Sequence, residues 1–87
     1  MSRICFSESA WEDYIYWQLQ DKKTLKKINA LLREISRHPF EGEGKPEKLR
    51  GSDDLWSRRI NGKDRLVYAA YEDDIIVIQC RGHYNDR

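Results

Sequence analysis

The sequence contains no long apolar run and few of the residue types that cross-link small domains. No stretch approaches the roughly 18 apolar residues of a transmembrane helix, and residues 1–8 contain no hydrophobic signal segment. These absences argue against export and membrane association, and they favour a cytoplasmic protein. The chain has 87 residues, of which 39% are apolar and 11% aromatic. This length fits a single domain over residues 1–87, and the composition is too apolar for a disordered chain.

Cysteine is scarce, since only Cys5 and Cys80 are present. Cysteines in a reducing cytoplasm stay unpaired, and we expect both to be buried thiols that pack as small apolar side chains. A zinc site would require two further ligands, for which the sequence offers only His38 and His83. We therefore expect neither a metal site nor another cofactor.

An excess of charge of one sign is also missing, because 16 lysines and arginines face 15 aspartates and glutamates, for a net charge of +1. This balance argues against a strongly basic nucleic-acid binder, so charge has to be interpreted as local patches. One patch at the start of the second predicted helix consists of Lys22, Lys23, Lys26 and Lys27. These lysines form either a solvated helix face, which is the common role of exposed lysine, or a contact for RNA phosphates.

The spacing of apolar residues predicts a strand over residues 3–6 followed by two helices. Ser9 and Glu12 have the spacing of a capping box for the first helix, and Asp21 is a cap for the second. The second helix is expected to stop at His38-Pro39, because proline disfavours helical geometry in the residue before it. The apolar stripes are Trp11, Tyr14, Ile15 and Leu19 in the first helix, and Ile28, Leu31, Leu32 and Ile35 in the second.

The second half of the chain has the pattern of a long loop followed by a meander of strands. Residues 40–51 are rich in glycine, proline and charge, and loops of this length are functional or disordered. Three strands are predicted, over residues 56–60, 65–71 and 75–80. Asn61-Gly62 supplies a hairpin turn, and the strand over residues 3–6 can join the sheet. The predicted fold class is α+β, with two N-terminal helices packed on one face of a small antiparallel sheet.

Glu47 is the carboxylate of the predicted loop with the most cations around it. It is flanked by Lys45, Lys48 and Arg50. Nearby cations keep a carboxylate ionised, which suits either a general base or an ordinary surface ion pair.

Arginine, histidine and tyrosine accompany the predicted strands. Arg58 and Arg59 are adjacent on one strand, so their side chains point to opposite faces of the sheet. One of them can join the core while the other projects toward solvent or a ligand. Arg65 opens the next strand, close enough across the turn to share a face with the preceding arginine. His83 and Tyr84 follow the last strand.

A carboxylate, an imidazole, arginines and a tyrosine make a plausible site for RNA cleavage without a metal. The 2′-hydroxyl has to lose a proton and the 5′-oxygen has to gain one, which glutamate and histidine can do. The planar fork of arginine matches a phosphate, and tyrosine stacks on an unpaired base. Each residue also has an ordinary role, because a lone histidine is usually structural and paired arginines are usually salt-bridged. Composition and spacing therefore leave both interpretations open.

Nearly the whole chain is covered by segments typical of one protein family. They include Trp11-Glu12-Asp13-Tyr14, Pro39-Phe40-Glu41-Gly42, Gly44-Lys45-Pro46-Glu47, Trp56-Ser57-Arg58-Arg59-Ile60, Arg65-Leu66-Val67-Tyr68 and Cys80-Arg81-Gly82-His83-Tyr84. The chain thereby resembles the YoeB group of the RelE superfamily of bacterial toxins. The resemblance implies a RelE-like, microbial-ribonuclease-like α+β fold. It also implies a toxin of a type II toxin–antitoxin module that cleaves mRNA in the ribosomal A site without a metal.

The resemblance further implies a role for each candidate residue. Glu47 is expected to be the general base, His83 the general acid and Arg65 the stabiliser of the phosphate. Arg59 and Tyr84 are expected to place the RNA. The further candidates for RNA binding are the cations of the predicted loop, Lys45, Lys48 and Arg50.

The partners that the resemblance implies are mRNA on the ribosome, ribosomal RNA and a cognate antitoxin. The lysine patch is the candidate contact for ribosomal RNA. Exposed arginines together with Trp56, Tyr68 and Tyr84 would suit a disordered acidic antitoxin segment that folds on binding. A homodimer is also compatible with the sequence.

The chain departs from the family pattern in three places. Lys48 stands where proline is expected, residues 50–55 are more acidic than expected, and residues 85–87 extend past the His-Tyr pair. Two other functions compete with RNA cleavage. Gyrase-poisoning members of the superfamily share the fold without cleaving RNA, and a plain ribosome- or RNA-binding protein would need no catalytic groups.

Overall fold

Two helices and one sheet form the layers of the molecule. The structure, a computed structural model, describes residues 2–52 and 54–83. In chain order the elements are β1 (Arg3–Phe6), α1 (Glu8–Gln20), α2 (Lys22–Arg37), β2 (Glu47–Lys48), β3 (Leu55–Arg59), β4 (Arg65–Tyr71) and β5 (Asp74–Gln79). The predicted α+β class, with two N-terminal helices packed against a sheet, is confirmed. No helix in these two stretches is long and apolar enough to cross a membrane.

The five strands form one sheet in the order β1-β5-β4-β3-β2. The predicted antiparallel meander is made by β3, β4 and β5. β1 joins the sheet as predicted, but it runs parallel to β5, with Arg3 opposite Asp74. A parallel pair needs a long crossover, and α1 and α2 lie within that crossover here. The sheet is therefore mixed rather than wholly antiparallel. The predicted loop over residues 40–51 is interrupted by β2, which pairs with β3.

Helix α1 begins earlier than the sequence predicted. Its N-cap is Ser7, whose hydroxyl accepts a hydrogen bond from the N–H of Ala10 (3.0 Å). The same hydroxyl donates a hydrogen bond to the carbonyl of Ile78 (3.0 Å). The predicted capping box of Ser9 and Glu12 is wrong, because the pairing of β1 with β5 places Ser7 where the helix starts.

The face that α1 turns toward the core also differs from the predicted stripe. The buried residues of α1 are Ala10, Asp13 and Trp17. Trp11 and Leu19, two residues of the predicted stripe, are exposed. The spacing of apolar residues did not predict the buried face because that face contains Asp13. The Asp13 carboxylate accepts a hydrogen bond from the N–H of Cys80 (3.0 Å). The indole N–H of Trp17 donates to the carbonyl of Cys80 (2.8 Å), so α1 holds both peptide groups of this residue.

Helix α2 follows its predicted pattern. The carboxylate of Asp21 caps it by accepting hydrogen bonds from the N–H groups of Lys23 (3.1 Å) and Thr24 (3.2 Å). The helix ends at Arg37, directly before His38-Pro39. Its buried residues are the four predicted ones, Ile28, Leu31, Leu32 and Ile35. Because these side chains recur along one face, α2 supplies the helical half of the core.

The two cysteines have different environments. Cys80 is fully buried in the core, as predicted, whereas Cys5 is exposed. The prediction was wrong for Cys5 because it lies on β1, an outer strand of the sheet that the helices cover only in part.

Arg58 is a fully buried cation that joins the sheet to the chain segment after α2. Its guanidinium donates to the Glu34 carboxylate (2.6 Å) on α2 and to the Tyr68 hydroxyl (3.2 Å) on β4. It also donates to three backbone carbonyls of the following segment, those of His38 (2.5 Å), Glu41 (2.8 Å) and Glu43 (3.1 Å). This single side chain therefore fixes the course of residues 38–43, a segment without regular secondary structure.

Tyr68 belongs to the same buried network. Its side chain is inaccessible to solvent, and its hydroxyl donates to the carbonyl of Pro39 (2.5 Å). Burial raises the pKa of Tyr68, while the hydrogen bond from Arg58 partly opposes that rise. The expectation that Tyr68 contributes to an exposed partner surface is wrong, because its ring faces the helices.

We expect Arg58→Ala to lower the free energy of unfolding by about 3–5 kcal/mol, since it leaves the Glu34 carboxylate and several carbonyls without their donor. Chemical denaturation followed by circular dichroism measures the change. Arg59→Ala removes the same side chain from the next, exposed position and is the matched control, with an expected effect below about 0.5 kcal/mol. Equal effects of the two substitutions would contradict this account of Arg58.

The pKa of Glu34 lies below its ordinary value of 4.5, first because its carboxylate accepts a hydrogen bond from the N–H of Glu43 and second because Arg58 donates to it. A carboxyl group whose pKa is lower in the folded state stabilises the fold above its ordinary pKa, and this stabilisation is lost as the pH falls through the folded-state pKa. We expect Glu34→Gln to be less stable than the wild type at neutral pH and the difference to shrink in acid.

Urea denaturation at a series of pH values between about 7 and 3 measures this difference between the two proteins. Glu72→Gln, which alters an exposed residue of the turn between β4 and β5, is the control. The role assigned to the Glu34 charge would be refuted if the difference in free energy of unfolding between Glu34→Gln and the wild type stayed constant over this pH range.

Candidate active site

One cleft on the sheet brings together most of the residues predicted to carry chemistry. Its volume is about 350 Å³, and its walls are formed by Lys45, Glu47, Leu49, Ser57, Arg59, Arg65, Val67 and His83. The three residues with predicted catalytic roles, Glu47, Arg65 and His83, thus line one cavity. Arg59 and Lys45, two of the residues predicted to bind RNA, line it with them.

The alternation of side chains along β3 separates structural from cleft residues. Arg58 points toward α2 and is inaccessible to solvent, whereas Arg59, the next residue, is exposed and lines the cleft. The prediction that these two arginines serve opposite faces is confirmed. Arg59 lies opposite Arg65 in the pairing of β3 with β4, so the two cations share the face away from the helices, as predicted.

β2 carries Glu47 into the cleft. Glu47 lies opposite Ser57, which is two residues before Arg59 and therefore on the same face of β3. The preceding loop lies close to β3, where the N–H of Arg59 donates to the carbonyl of Gly44 (2.6 Å). Gly44 has a φ of 82°, and a Cβ there would lie 3.0 Å from the carbonyl oxygen of Arg59. Glycine is therefore needed at this position for the loop to approach the strand.

The segment after β5 carries His83 to the cleft. The N–H of Arg65 donates to the carbonyl of Gly82 (3.0 Å), so the start of β4 and the end of the described chain are joined next to the cavity. His83 itself is exposed. The acid predicted for the reaction thus lies beside the cation predicted to hold the phosphate.

The cleft combines three cations with one carboxylate and one imidazole. Arg65 Nη1 donates to the carbonyls of Asn61 (2.9 Å) and Asp64 (3.1 Å), which fixes the side chain. A guanidinium has five N–H donors, so Arg65 retains donors for an anion in the cleft. Within residues 2–52 and 54–83, no salt bridge joins Glu47 to a neighbouring cation, which was its alternative role. A phosphate between the cations and a proton acceptor at Glu47 would suit phosphoryl transfer.

Some predicted residues lie outside the cleft. Lys48 follows Glu47 on β2 and therefore points to the other face of the sheet, opposite Trp56 in the register. Arg50 is exposed in the turn beyond β2 and is not among the wall residues. Tyr84 lies outside the described residues. The structure therefore brings Arg59 and Lys45 to the cleft, and it does not place Lys48 or Arg50 among the wall residues.

The lysine patch lies at the start of α2, and none of its four lysines is a wall residue of the cleft. Lys23 and Lys27 border a separate hollow that also contains Thr24, Ile60 and Asn61. Lys27 is in addition 3.5 Å from the Glu43 carboxylate. Lys22, Lys23 and Lys26 are exposed, so the patch remains available to a large partner.

Two buried polar residues next to the cleft were not predicted from the sequence. Asp64 and Gln79 are only 4% and 5% exposed. Gln79 ends the apolar run of β5, and a polar residue at the end of an otherwise apolar strand was a usable signal. Asp64 lies just after Asn61-Gly62, a segment for which the sequence predicts only a hairpin turn.

Comparison with known proteins gives concordant similarities over nearly the full length. The family model of YoeB-like toxins of bacterial type II toxin–antitoxin systems matches residues 6–84. The chain is 48% identical over 83 residues to the toxin YoeB of Escherichia coli (strain K12), covering 94% of this chain and 99% of that protein.

Solved structures agree with the sequence comparison. The chain is similar to the YoeB dimer from Staphylococcus aureus, with a TM-score of 0.91 and 48% identity over 95% of this chain and 98% of that one. It is also similar to the toxin in the heterotetrameric YoeB–YefM toxin–antitoxin complex from Staphylococcus aureus. That match has a TM-score of 0.86 and 48% identity, and it covers 97% of this chain and 99% of that one.

Proposed function

Because the chain belongs to the YoeB family of toxins of bacterial type II toxin–antitoxin systems, we propose that it is an endoribonuclease that cleaves mRNA in the ribosomal A site without a metal. The observation that carries this proposal is the cleft itself, in which a carboxylate, an imidazole and two paired arginines converge. A protein that only binds the ribosome or gyrase would have no need to place an acid and a base around the same cationic cavity.

The reaction begins at the 2′-hydroxyl of the mRNA. The Glu47 carboxylate removes the hydroxyl proton, and the 2′-oxygen forms a bond to the adjacent phosphorus. Negative charge grows on the phosphate oxygens as this bond forms. Arg65 and Arg59 donate hydrogen bonds to those oxygens. Their guanidinium charges stabilise the negative charge on the oxygens, and this stabilisation is greatest where water is excluded.

The reaction ends when the bond from phosphorus to the 5′-oxygen breaks. The imidazole of His83 gives the proton that the departing 5′-oxygen needs, since histidine is the most common group for such proton transfers in enzymes. The products are a 2′,3′-cyclic phosphate and a 5′-hydroxyl. The proton taken up by Glu47 and the proton given by His83 balance, and the free enzyme is restored by exchange with water. Tyr84 is assigned the stacking of a base at the cleavage site.

The small net charge of the chain gives it little affinity for free RNA, so the ribosome has to hold the cleft against the mRNA. Non-specific affinity for RNA rises with the number of phosphates that a protein neutralises, and a net charge of +1 gives little of it. Contact of the lysine patch with ribosomal RNA would hold the cleft against mRNA in the A site. Orientation by the ribosome then replaces affinity for free RNA.

An antitoxin is proposed as the partner that silences the toxin. The support is the related Staphylococcus aureus toxin in complex with YefM, together with a cationic cleft that suits an acidic segment folding on binding. The dimer of the Staphylococcus aureus relative supports a homodimer as a further state of this chain.

We expect Glu47→Ala and His83→Ala each to lower the cleavage rate on programmed ribosomes by about 10²–10⁴, the usual contribution of one proton transfer. Arg65→Ala is expected to cost at least as much, because it removes charge stabilisation of the transition state. Single-turnover assays with primer extension measure the rate and position, and end-group analysis identifies the cyclic phosphate. Chelation with EDTA is expected to leave the slow wild-type cleavage of free RNA unchanged, and free RNA is the substrate for this test because ribosomes themselves require Mg²⁺.

Matched substitutions far from the cleft control for general effects. Glu72→Ala, His38→Ala and Arg33→Ala alter exposed residues of the same three types and are expected to cleave at the wild-type rate. Near-normal inhibition of translation by Glu47→Ala and His83→Ala would instead favour a non-catalytic protein that binds the ribosome or poisons gyrase.

Ribosome dependence is tested by comparing one mRNA, free and bound in the A site, at the same concentration. We expect cleavage of the bound mRNA to be faster by at least about 10²-fold, since positioning contributes factors of this size. Replacing the four lysines of the patch by glutamine is expected to lower the ribosomal rate and leave the slow cleavage of free RNA unaltered. Equal rates on free and bound mRNA would disprove the proposed role of the ribosome.

A further inference from the structure

The segment that carries His83 is held by side chains outside the catalytic set. Gln79, the last residue of β5, is 5% exposed, and its Nε2 donates to the carbonyls of Arg81 (2.8 Å) and His83 (2.9 Å). An amide nitrogen has two donors, and both are satisfied by this segment. A buried amide would be costly without such partners, so its two hydrogen bonds fix the backbone on both sides of Gly82.

Asp64 also fixes the segment that carries His83. Its Oδ1 accepts a hydrogen bond from the N–H of Gly82 (2.8 Å), and the N–H of Arg65 donates to the Gly82 carbonyl (3.0 Å). Oδ2 of Asp64 accepts from the side-chain amide of Asn61 (2.9 Å), so the carboxylate is itself fixed. Gly82 has a φ of 76°, a turn conformation that reverses the chain toward the cleft.

A β-bulge explains why Gln79 can reach this segment. Val77 lies opposite Tyr68, which faces the helices, whereas Gln79 lies opposite Val67, which lines the cleft. The register shift between Val67 and Tyr68 therefore moves Gln79 to the cleft side of the sheet. Bulges that redirect a side chain recur beside active sites.

We propose that Gln79 and Asp64 are positioning residues that set the place of the His83 imidazole relative to Arg65 and Glu47. The inference rests on the proposed function, and it assigns to Gln79 and Asp64 no contact with RNA. They act through the backbone of residues 81–83. Their loss is expected to displace His83 and to leave the rest of the cleft intact.

A double-mutant cycle tests the inference through a readout that a general loss of stability does not change. Gln79→Met keeps the length of the side chain and removes both donors. We expect it to slow single-turnover cleavage on ribosomes about 10–100-fold, since a displacement of about 1 Å in an active site can cost a factor of 10². In a His83→Ala background the same substitution is expected to change the rate less than about 2-fold. The ribosome concentration for half-maximal rate is expected to stay the same in both backgrounds.

The matched control is Gln18→Met, the same change at an exposed position of α1, which is expected to leave the rate unaltered. If Gln79→Met does not fold, as judged by its thermal transition, Asp64→Ala, which removes the acceptor for the N–H of Gly82, takes its place in the cycle. Rates that fall by the same factor with and without His83, or that do not fall at all, would overturn the inference.

A second measurement separates the inference from the proposed function. The chain has two histidines, so the His83 imidazole resonance is assigned by its loss in His83→Ala. We expect Gln79→Met to shift this resonance and to leave that of His38 unchanged. A wild-type chain without cleavage activity would refute the proposed function, while an unshifted His83 resonance would refute the positioning role.

Discussion

The guanidinium of Arg58 connects β3 to α2 and to the irregular segment of residues 38–43 that follows α2. It lies in the core between the sheet and α2, and its donors reach a carboxylate, a phenol and three backbone carbonyls. A buried charge is costly unless it is fully paired, and here the pairing is provided by the segment that leads to β2. The route of that segment, and with it the approach of Glu47 to the sheet, follows from the burial of one arginine.

The cleft is built from the parts of the fold that lie outside the helical core. Its carboxylate comes from β2, its two arginines from facing positions of β3 and β4, and its imidazole from the segment after β5. Each part is tied to its neighbour through backbone groups: Gly44 to Arg59 and Gly82 to Arg65. Hydrogen bonds with backbone groups thus determine the relative positions of these side chains, and the partners are both neighbouring segments and the side chains of Arg58, Gln79 and Asp64.

The elements with strong periodicity were predictable from the sequence, and the positions set by tertiary contacts were not. The stripe of α2, the meander and the opposite faces of Arg58 and Arg59 follow from local spacing alone. The start of α1 does not, because Ser7 is chosen by the pairing of β1 with β5. Within the candidate site, the carboxylate, the imidazole and the arginines that line the cleft were predicted from the sequence. Asp64 and Gln79 were missed, because their role depends on which distant carbonyls and N–H groups they meet.

The placement of two arginines side by side on β3 has a consequence for how this protein can change in evolution. One faces the core and the next faces the cleft, so a one-residue slip of the strand would exchange their surroundings. A shift in one direction would put Ser57 at the position of Arg58 and leave the Glu34 carboxylate without its donor. A shift in the other direction would put Ile60 at the position of Arg59 and remove a cation from the cleft. Single-residue insertions and deletions within β3 are therefore excluded even where substitutions are tolerated. Changes of length have to accumulate in the turns on either side, before Leu55 or after Ile60.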